Sequence, residues 1–259
     1  MTGPTLTYAY AVCHPYDGPA PTGLTGLDPG SPVRTLPAGP LTAVVQDVPE
    51  ADFSEEALRR RLSDRTELER CARAHHEVIT AVSSVTATVP LPLATLYRGD
   101  ARVREALRSK QNDFLTALDR LANRAEWGVK VYAPTAPAAP APDPAPLTGR
   151  AYLDRVRNRH QGREQRQNAA LQAAERVDAV VQSLAVATRR LRPHGPEVTG
   201  PHRTHILNAA YLLDTTRTRE LRAALTSLRG DEPAVEIELS GPWAPYSFAD
   251  AFADAGTAP

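Results

Sequence analysis

The run APTAPAAPAPDPAP, Ala133 to Pro146, constrains the fold more than any other stretch. Its six prolines exclude a helix or an interior strand and favour an extended polyproline path. It predicts an N-terminal α+β domain over 1–132, a Pro/Ala-rich linker over 133–148 and a C-terminal domain over 149–259. A chain of 259 residues is long enough for each half to bury a core of its own.

In the first half, TYAYAVC (Thr7 to Cys13) alternates with Tyr8, Tyr10 and Val12 on one face, the period of a strand. The Gly/Pro-rich run from Asp17 to Pro40 sustains neither regular structure, and PLTAVVQDVP resumes a strand ending near Pro49. Ser54 caps a short helix, SEEALRRRLSD, and a second helix over Asp64 to Ser84 places Leu68, Cys71, His75, Val78 or Ile79, Val82 and Val85 on one stripe. TATVPLPLATLY is extended, Asp100 caps a helix that turns Val103, Leu107, Phe114, Leu118 and Leu121 inward, and EWGVKVY (Glu126 to Tyr132) is the last strand of this half. Val78 to Tyr97 lacks any charged side chain over a membrane-spanning length. Its six Ser/Thr residues, Pro90 and Pro92 argue instead for a helix end followed by a buried strand, so no membrane span is expected.

In the second half, Arg150 to Leu191 reads as helical, but the apolar stripe vanishes between Val156 and Ala170 and Gly162 interrupts, which predicts a long, broken helix. HILNAAYLLD (His205 to Asp214) is apolar on both faces, hence an interior strand. TRELRAALTSL is a short helix stopped by Gly230, and AVEIELS alternates as a strand with one wet face.

Lys+Arg and Asp+Glu both number 30, so no net charge draws the whole molecule onto nucleic acid or an anionic membrane. Cys13 and Cys71 form neither a disulfide framework nor a metal-ligand spacing and read as buried thiols in a reducing cytoplasm. The N-terminus has no Lys or Arg before Arg34 and no apolar run of signal-peptide type, so a cytoplasmic location is expected. GxxxxGK[ST], GxGxxG and GxSxG are all missing. His75, His76 and Glu77 are the most enzyme-like cluster, but Val-Ile-Thr follows and the second ligand of an HExxH helix is lacking. One core histidine beside one solvated histidine outweighs a metal-dependent enzyme, and no catalytic, cofactor-binding or metal residue is expected. His202 and His205, three apart at the start of a strand, point to opposite faces. Arg155, Arg157, Arg159, Arg163 and Arg166, with His160, form the one basic stretch that suits a nucleic acid. Only Tyr152 is near as a stacking partner, so a solvated helix face is favoured over nucleic-acid binding. Residues 230–259 carry six acidic and no basic side chains, and the basic helix suits the acidic tail of its own or another copy equally well.

SGPWAPYSFAD (Ser240 to Asp250) places Trp243, Tyr246 and Phe248 within six residues, between prolines, in a chain poor in aromatics. The three are candidates for a partner contact or for a cap on the sheet that ends at Leu239. The cap is preferred, with Trp243 mostly buried and Phe248 partly exposed.

YAYAVC, AVVQDVP, TVPLPLATLY, EWGVKVY, GRAYLDR, LNAAYLLD and VEIELSGPWAPYSFAD occur in the order seen in gas vesicle synthesis proteins of the GvpL/GvpF type, which the chain resembles in both halves. GPWAPYSFAD is the most specific element. The resemblance implies two α+β domains, each a small sheet packed with helices, the second ferredoxin-like. It implies an accessory or structural factor of gas vesicle assembly, without enzyme activity or cofactor, associated with the vesicle. The partners implied are the small apolar shell protein of GvpA type and other gas vesicle accessory proteins. Pro92, Leu93 and Ala94 depart from the pattern, standing where relatives typically show Arg, Phe and Gly.

Overall fold

The computed structural model describes residues 3–16, 23–134, 149–193, 195 and 203–249 of the chain. The expected linker falls almost wholly outside the described residues, as do residues 17–22, His202 and Asp250. The chain divides into two compact units, residues 1–125 together with 243–259, and residues 126–242.

The first unit is built on a sheet in the order β2-β3-β1-β4, with a short β5 also paired to β1. Strand β1 (Thr5–Cys13) is central and antiparallel to β3 (Leu41–Pro49), with a register shift between Ala9 and Ala11. Every residue of β1 from Thr7 onward is buried, because helices cover both faces. On one face lies α3 (Arg65–Ser83), preceded by a single turn α1 (Glu50–Phe53) and by α2 (Glu55–Ser63). Its Cys71, Val78, Ile79 and Val82 join Tyr8, Tyr10, Val44 and Val48 in one apolar cluster. The expected cap is present at Ser54, whose Oγ accepts from the Ala57 amide, and a second one forms at Asp64, whose Oδ1 accepts from the Glu67 amide. Strands β4 (Thr88–Pro90) and β5 (Leu96–Tyr97) follow as the extended segment. No helix among the described residues is long and apolar enough to cross a membrane.

Three elements of this unit differ from expectation. Val33–Ala38 (β2) is a strand, although it lies in the Gly/Pro-rich run, because Gly39 at φ 67° turns it back onto β3. The helix opening at Asp100 is two, α4 (Asp100–Ser109) and α5 (Gln111–Leu121), parted at Lys110. Asp100 is its first residue rather than its cap: Gly99 holds the cap position and the Asp100 carboxylate pairs with Arg34 at 2.8 Å. The inward stripe survives the break, with Val103, Leu107, Phe114, Leu118 and Leu121 all buried. Leu68 and Val85, at the two ends of the α3 stripe, are exposed.

The second unit begins with β6 (Arg124–Pro134), the strand expected to close the first half. It continues through α6 (Gly149–Leu184), a short β7 (Ala187–Arg190) that the sequence reading missed, β8 (Arg203–Asp214), α7 (Thr218–Asp231) and β9 (Glu236–Trp243). The sheet order is β7-β8-β6-β9. A β-α-β-β-α-β succession whose first strand sits between the third and the fourth is the ferredoxin-like topology. That topology explains the shift of the boundary: it needs β6, from before the proline run, as its first strand. One face of the sheet carries Trp127, Val129 and Val131 from β6 and Leu207, Ala209, Tyr211 and Leu213 from β8. Val177, Val181 and Leu184 of α6 and Leu221 and Leu225 of α7 pack on it. Strand β8 is interior, as its two apolar faces predict.

Helix α6 is unbroken over 36 residues, about 54 Å at 1.5 Å per residue. The lost stripe marks solvent rather than a break, since burial resumes only at Ala170. Gly162 costs about 1 kcal/mol relative to Ala, too little to stop a helix flanked by Arg, Gln, Glu and Ala. Gly230 likewise lies within the last turn of α7 rather than ending it.

Candidate functional site

Consecutive residues on a helix point about 100° apart, and on α3 this separates His75 from His76. His75 is buried among Tyr8, Tyr10 and the Leu91 carbonyl, and its burial pushes its pKa down to about 4. His76 lies half-buried at the rim of the helix and Glu77 is exposed. The three side chains therefore do not converge on one point. Among the described residues no group of three or more His, Cys, Asp or Glu is placed to hold a metal ion.

His76 has a different setting. After β9 the chain turns through Ala244 and Pro245 into a 3-10 turn, Tyr246–Phe248, held by the Tyr246 amide donating to the Ala244 carbonyl at 2.8 Å and the Phe248 amide to the Pro245 carbonyl at 3.1 Å. Ala244 joins the apolar cluster of α3 and β1, and Phe248 is 3% exposed, with its carbonyl accepting from Arg120 Nη2 at 2.9 Å. Buried anchors thus alternate with outward residues. Trp243 is 44% exposed and Tyr246 38%. Both rings lie against His76, at centroid distances of 5.5 Å for Trp243 and 5.9 Å for Tyr246. His76 Nδ1 is hydrogen-bonded to the Tyr246 hydroxyl at 3.2 Å and Nε2 to Thr80 Oγ1 at 3.3 Å.

Two expectations are corrected. Trp243 and Phe248 exchange roles, the phenylalanine being the buried one and the tryptophan the exposed one. The strand expected to end at Leu239 runs on to Trp243, and from Trp243 the aromatic stretch belongs with the first unit, against His76 of α3, instead of folding back as a cap on that sheet. The reason is chemical. Phe has no polar atom to satisfy and can be sunk completely, whereas the indole N–H and the phenol O–H favour a half-wet position. His76 and Thr80 were not singled out as partners of the aromatics. The available signal was their i, i+4 spacing on the flank next to the buried stripe.

Elsewhere, His205 is buried and stacks on Tyr132 at 4.7 Å. Arg155, Arg157, Arg159, His160, Arg163 and Arg166 are all exposed on α6. The Pro92 to Ala94 departure forms the turn between β4 and β5, with Ala94 at φ 69° and its amide donating to the Tyr8 hydroxyl at 3.0 Å.

The sequence model of the gas vesicle synthesis protein GvpL/GvpF family matches residues 6–250. Gas vesicle protein L of a Streptomyces strain is 41% identical, over 96% of this chain and 94% of that protein. Gas vesicle protein F of the same strain is 25% identical, over 94% and 99%. The crystal structure of GvpF from Anabaena superposes with a TM-score of 0.66 at 17% identity, covering 95% of this chain and 96% of that one. That of GvpF from Microcystis aeruginosa gives 0.62 at 14%, covering 95% and 99%. The two crystal structures speak for the fold, and the sequence matches, which run through both units and through Trp243, Tyr246 and Phe248, place the chain in the GvpL/GvpF family of gas vesicle synthesis proteins.

Proposed function

We propose that the protein acts in gas vesicle assembly by binding the apolar shell subunit, and that Trp243 and Tyr246 belong to the contact. Family membership supports the role in assembly. A wall that keeps water out of a gas space needs an apolar inner face, so its free subunits are prone to wrong association, and a folded protein that covers such a face prevents it. The observation that carries the contact is the pair of exposed aromatic rings held against His76 by buried neighbours. Half-exposed Trp and Tyr on a rigid base bury large area at little entropic cost when a partner docks. The reading assigns no catalytic step and places the protein in the cytoplasm, at the growing vesicle, with other vesicle proteins as further partners.

Co-purification with a tagged shell subunit tests it. The Trp243→Ala/Tyr246→Ala double variant should keep its melting temperature within a few degrees and lose most of the captured subunit. Full capture by a folded double variant would move the contact elsewhere.

A further inference from the structure

Helix α6 carries two stripes of opposite character on one face. Eighteen residues make five full turns of an α-helix, so residues 18 apart lie directly above one another. Arg155, Arg159, Arg163 and Arg166 each stand 18 residues before Ala173, Val177, Val181 and Leu184, four residues buried against the second sheet. The face that docks on the sheet over the last turns of α6 therefore emerges over the earlier turns as a row of arginines about 16 Å long. All four are exposed, and none has a hydrogen bond or ion pair among the described residues. Of the acids near this row whose side chains are described, Glu164 and Glu175 lie on the opposite side, where Glu164 meets His160 at 3.4 Å.

We propose that the Arg155, Arg159, Arg163 and Arg166 stripe docks a helix of a partner protein that carries Asp or Glu at matching 4-4-3 spacing. The row has the spacing of a helix-packing seam, and its continuation packs as one; only the side chains have changed from apolar to cationic. A second helix laid along it meets each guanidinium with a carboxylate, and the planar fork of arginine suits that pairing. Each exposed pair alone is weak and salt-sensitive, so recognition rests on four pairs in register. Nucleic acid is the poorer fit: the chain as a whole is neutral, no aromatic side chain interleaves the row between 155 and 166, and a straight row does not follow a curving phosphate backbone. This surface is distinct from the Trp243 contact, so each can fail without the other.

The test uses the full chain and a soluble Ala-based helical peptide with four glutamates at 4-4-3 spacing, beside a peptide of the same composition with the glutamates spread around the helix. The expected result is saturable binding at low ionic strength, weaker by about tenfold or more for the spread peptide. It should be lost in Arg155→Glu/Arg159→Glu/Arg163→Glu/Arg166→Glu and kept in Arg157→Glu, on the other face. The reversed variant should gain binding to the corresponding lysine peptide. If charge reversal impairs folding, Arg159→Gln/Arg163→Gln should still weaken binding with an unchanged melting curve. Equal binding of the two peptides, or an equal loss with Arg157→Glu, overturns the proposal. Tighter binding of a short DNA duplex through the same four arginines would assign the row to nucleic acid. Self-association of the chain abolished by the four reversals would assign it to a second copy. Either outcome overturns the proposal as well.

Discussion

The hydroxyl of Tyr8 donates to Nδ1 of His75 at 2.9 Å, and Nε2 of the same ring donates to the Leu91 carbonyl at 3.1 Å. The Ala94 amide in turn donates to the Tyr8 hydroxyl, which leaves that hydroxyl's proton for the imidazole and fixes a neutral ring protonated at Nε2. The cluster ties β1, α3 and the turn after β4 together in the first core.

This neutral ring makes stability fall with acid. Burial lowers the native pKa of His75 to about 4, whereas an unfolded histidine titrates near about 6.5. Between those values the unfolded chain binds a proton that the native chain refuses. The contribution is complete above about pH 6.5 and is lost as pH falls towards 4, on the order of 3 kcal/mol by linkage. Urea denaturation between pH 7 and 4.5 should show the midpoint dropping, and His75→Gln should flatten the slope over that range. A wild-type midpoint constant across it would show that the native ring accepts the proton.

Gln46 should be the most sensitive polar residue of the first unit. Its Oε1 accepts from the Tyr10 hydroxyl at 2.5 Å and from the amides of Leu27 at 2.8 Å and Asp28 at 3.3 Å. Its Nε2 donates to the carbonyls of Thr25 at 3.0 Å, Asp28 at 2.7 Å and Ser31 at 2.7 Å. One fully buried amide thus satisfies the backbone of a loop that lacks regular structure. Gln46→Leu keeps the volume but strands these groups and should cost about 3 kcal/mol in denaturant-derived stability. A loss below about 1 kcal/mol would mean that the loop rearranges to find other partners.

Ala94 predicts a gain. A left-handed backbone at φ 69° costs a residue with a Cβ about 1–2 kcal/mol, part of which glycine gives back as unfolded-chain entropy. Ala94→Gly should therefore raise stability by about 0.5–1 kcal/mol, measured by urea denaturation. A decrease would show that the methyl group's packing against the neighbouring core outweighs the strain.

Periodicity made some of this legible and left the rest hidden for physical reasons. The inward stripe of α3, the cap at Ser54 and the interior character of β8 depend on local chemistry, and local pattern carries it. Membership of a sheet does not: EWGVKVY is the same strand whichever sheet it joins, and its place between β8 and β9, which defines the second unit, is set by partners from the far half of the chain. Strand β2 hid because its pairing is imposed by the turn at Gly39, against a background of prolines that argue for loop. The aromatic triad was visible, but the choice of which ring is buried depends on Arg120 and His76, both more than a hundred residues away in the chain.

The position of β6 has a consequence for the proline run. A chain cut within 135–148 keeps β6 on the N-terminal fragment, while β8, β9 and both helices of the second unit stay on the C-terminal one. Since β6 lies between β8 and β9 with Trp127, Val129 and Val131 buried, the fragments should remain associated. A protease site inserted after Ala141, followed by cleavage and native size-exclusion chromatography, should give a single peak holding both fragments. Separation without denaturant would show that β6 is not held by its neighbours.

The exchange of roles between Trp243 and Phe248 gives the sharpest contrast in stability. Phe248 is 3% exposed, so Phe248→Ala removes a fully buried ring and should cost about 3 kcal/mol or more. Trp243 is 44% exposed and rests on His76 alone among the described aromatic rings, so Trp243→Ala should cost about 1 kcal/mol or less. The two residues stand on one short stretch, and a general loosening of the C-terminal segment would lower both alike, whereas the geometry requires a clear gap with Phe248 the larger. Urea denaturation of the two variants decides between these outcomes. A greater loss for Trp243→Ala would return the tryptophan to the core and remove it from the surface proposed to meet the shell subunit.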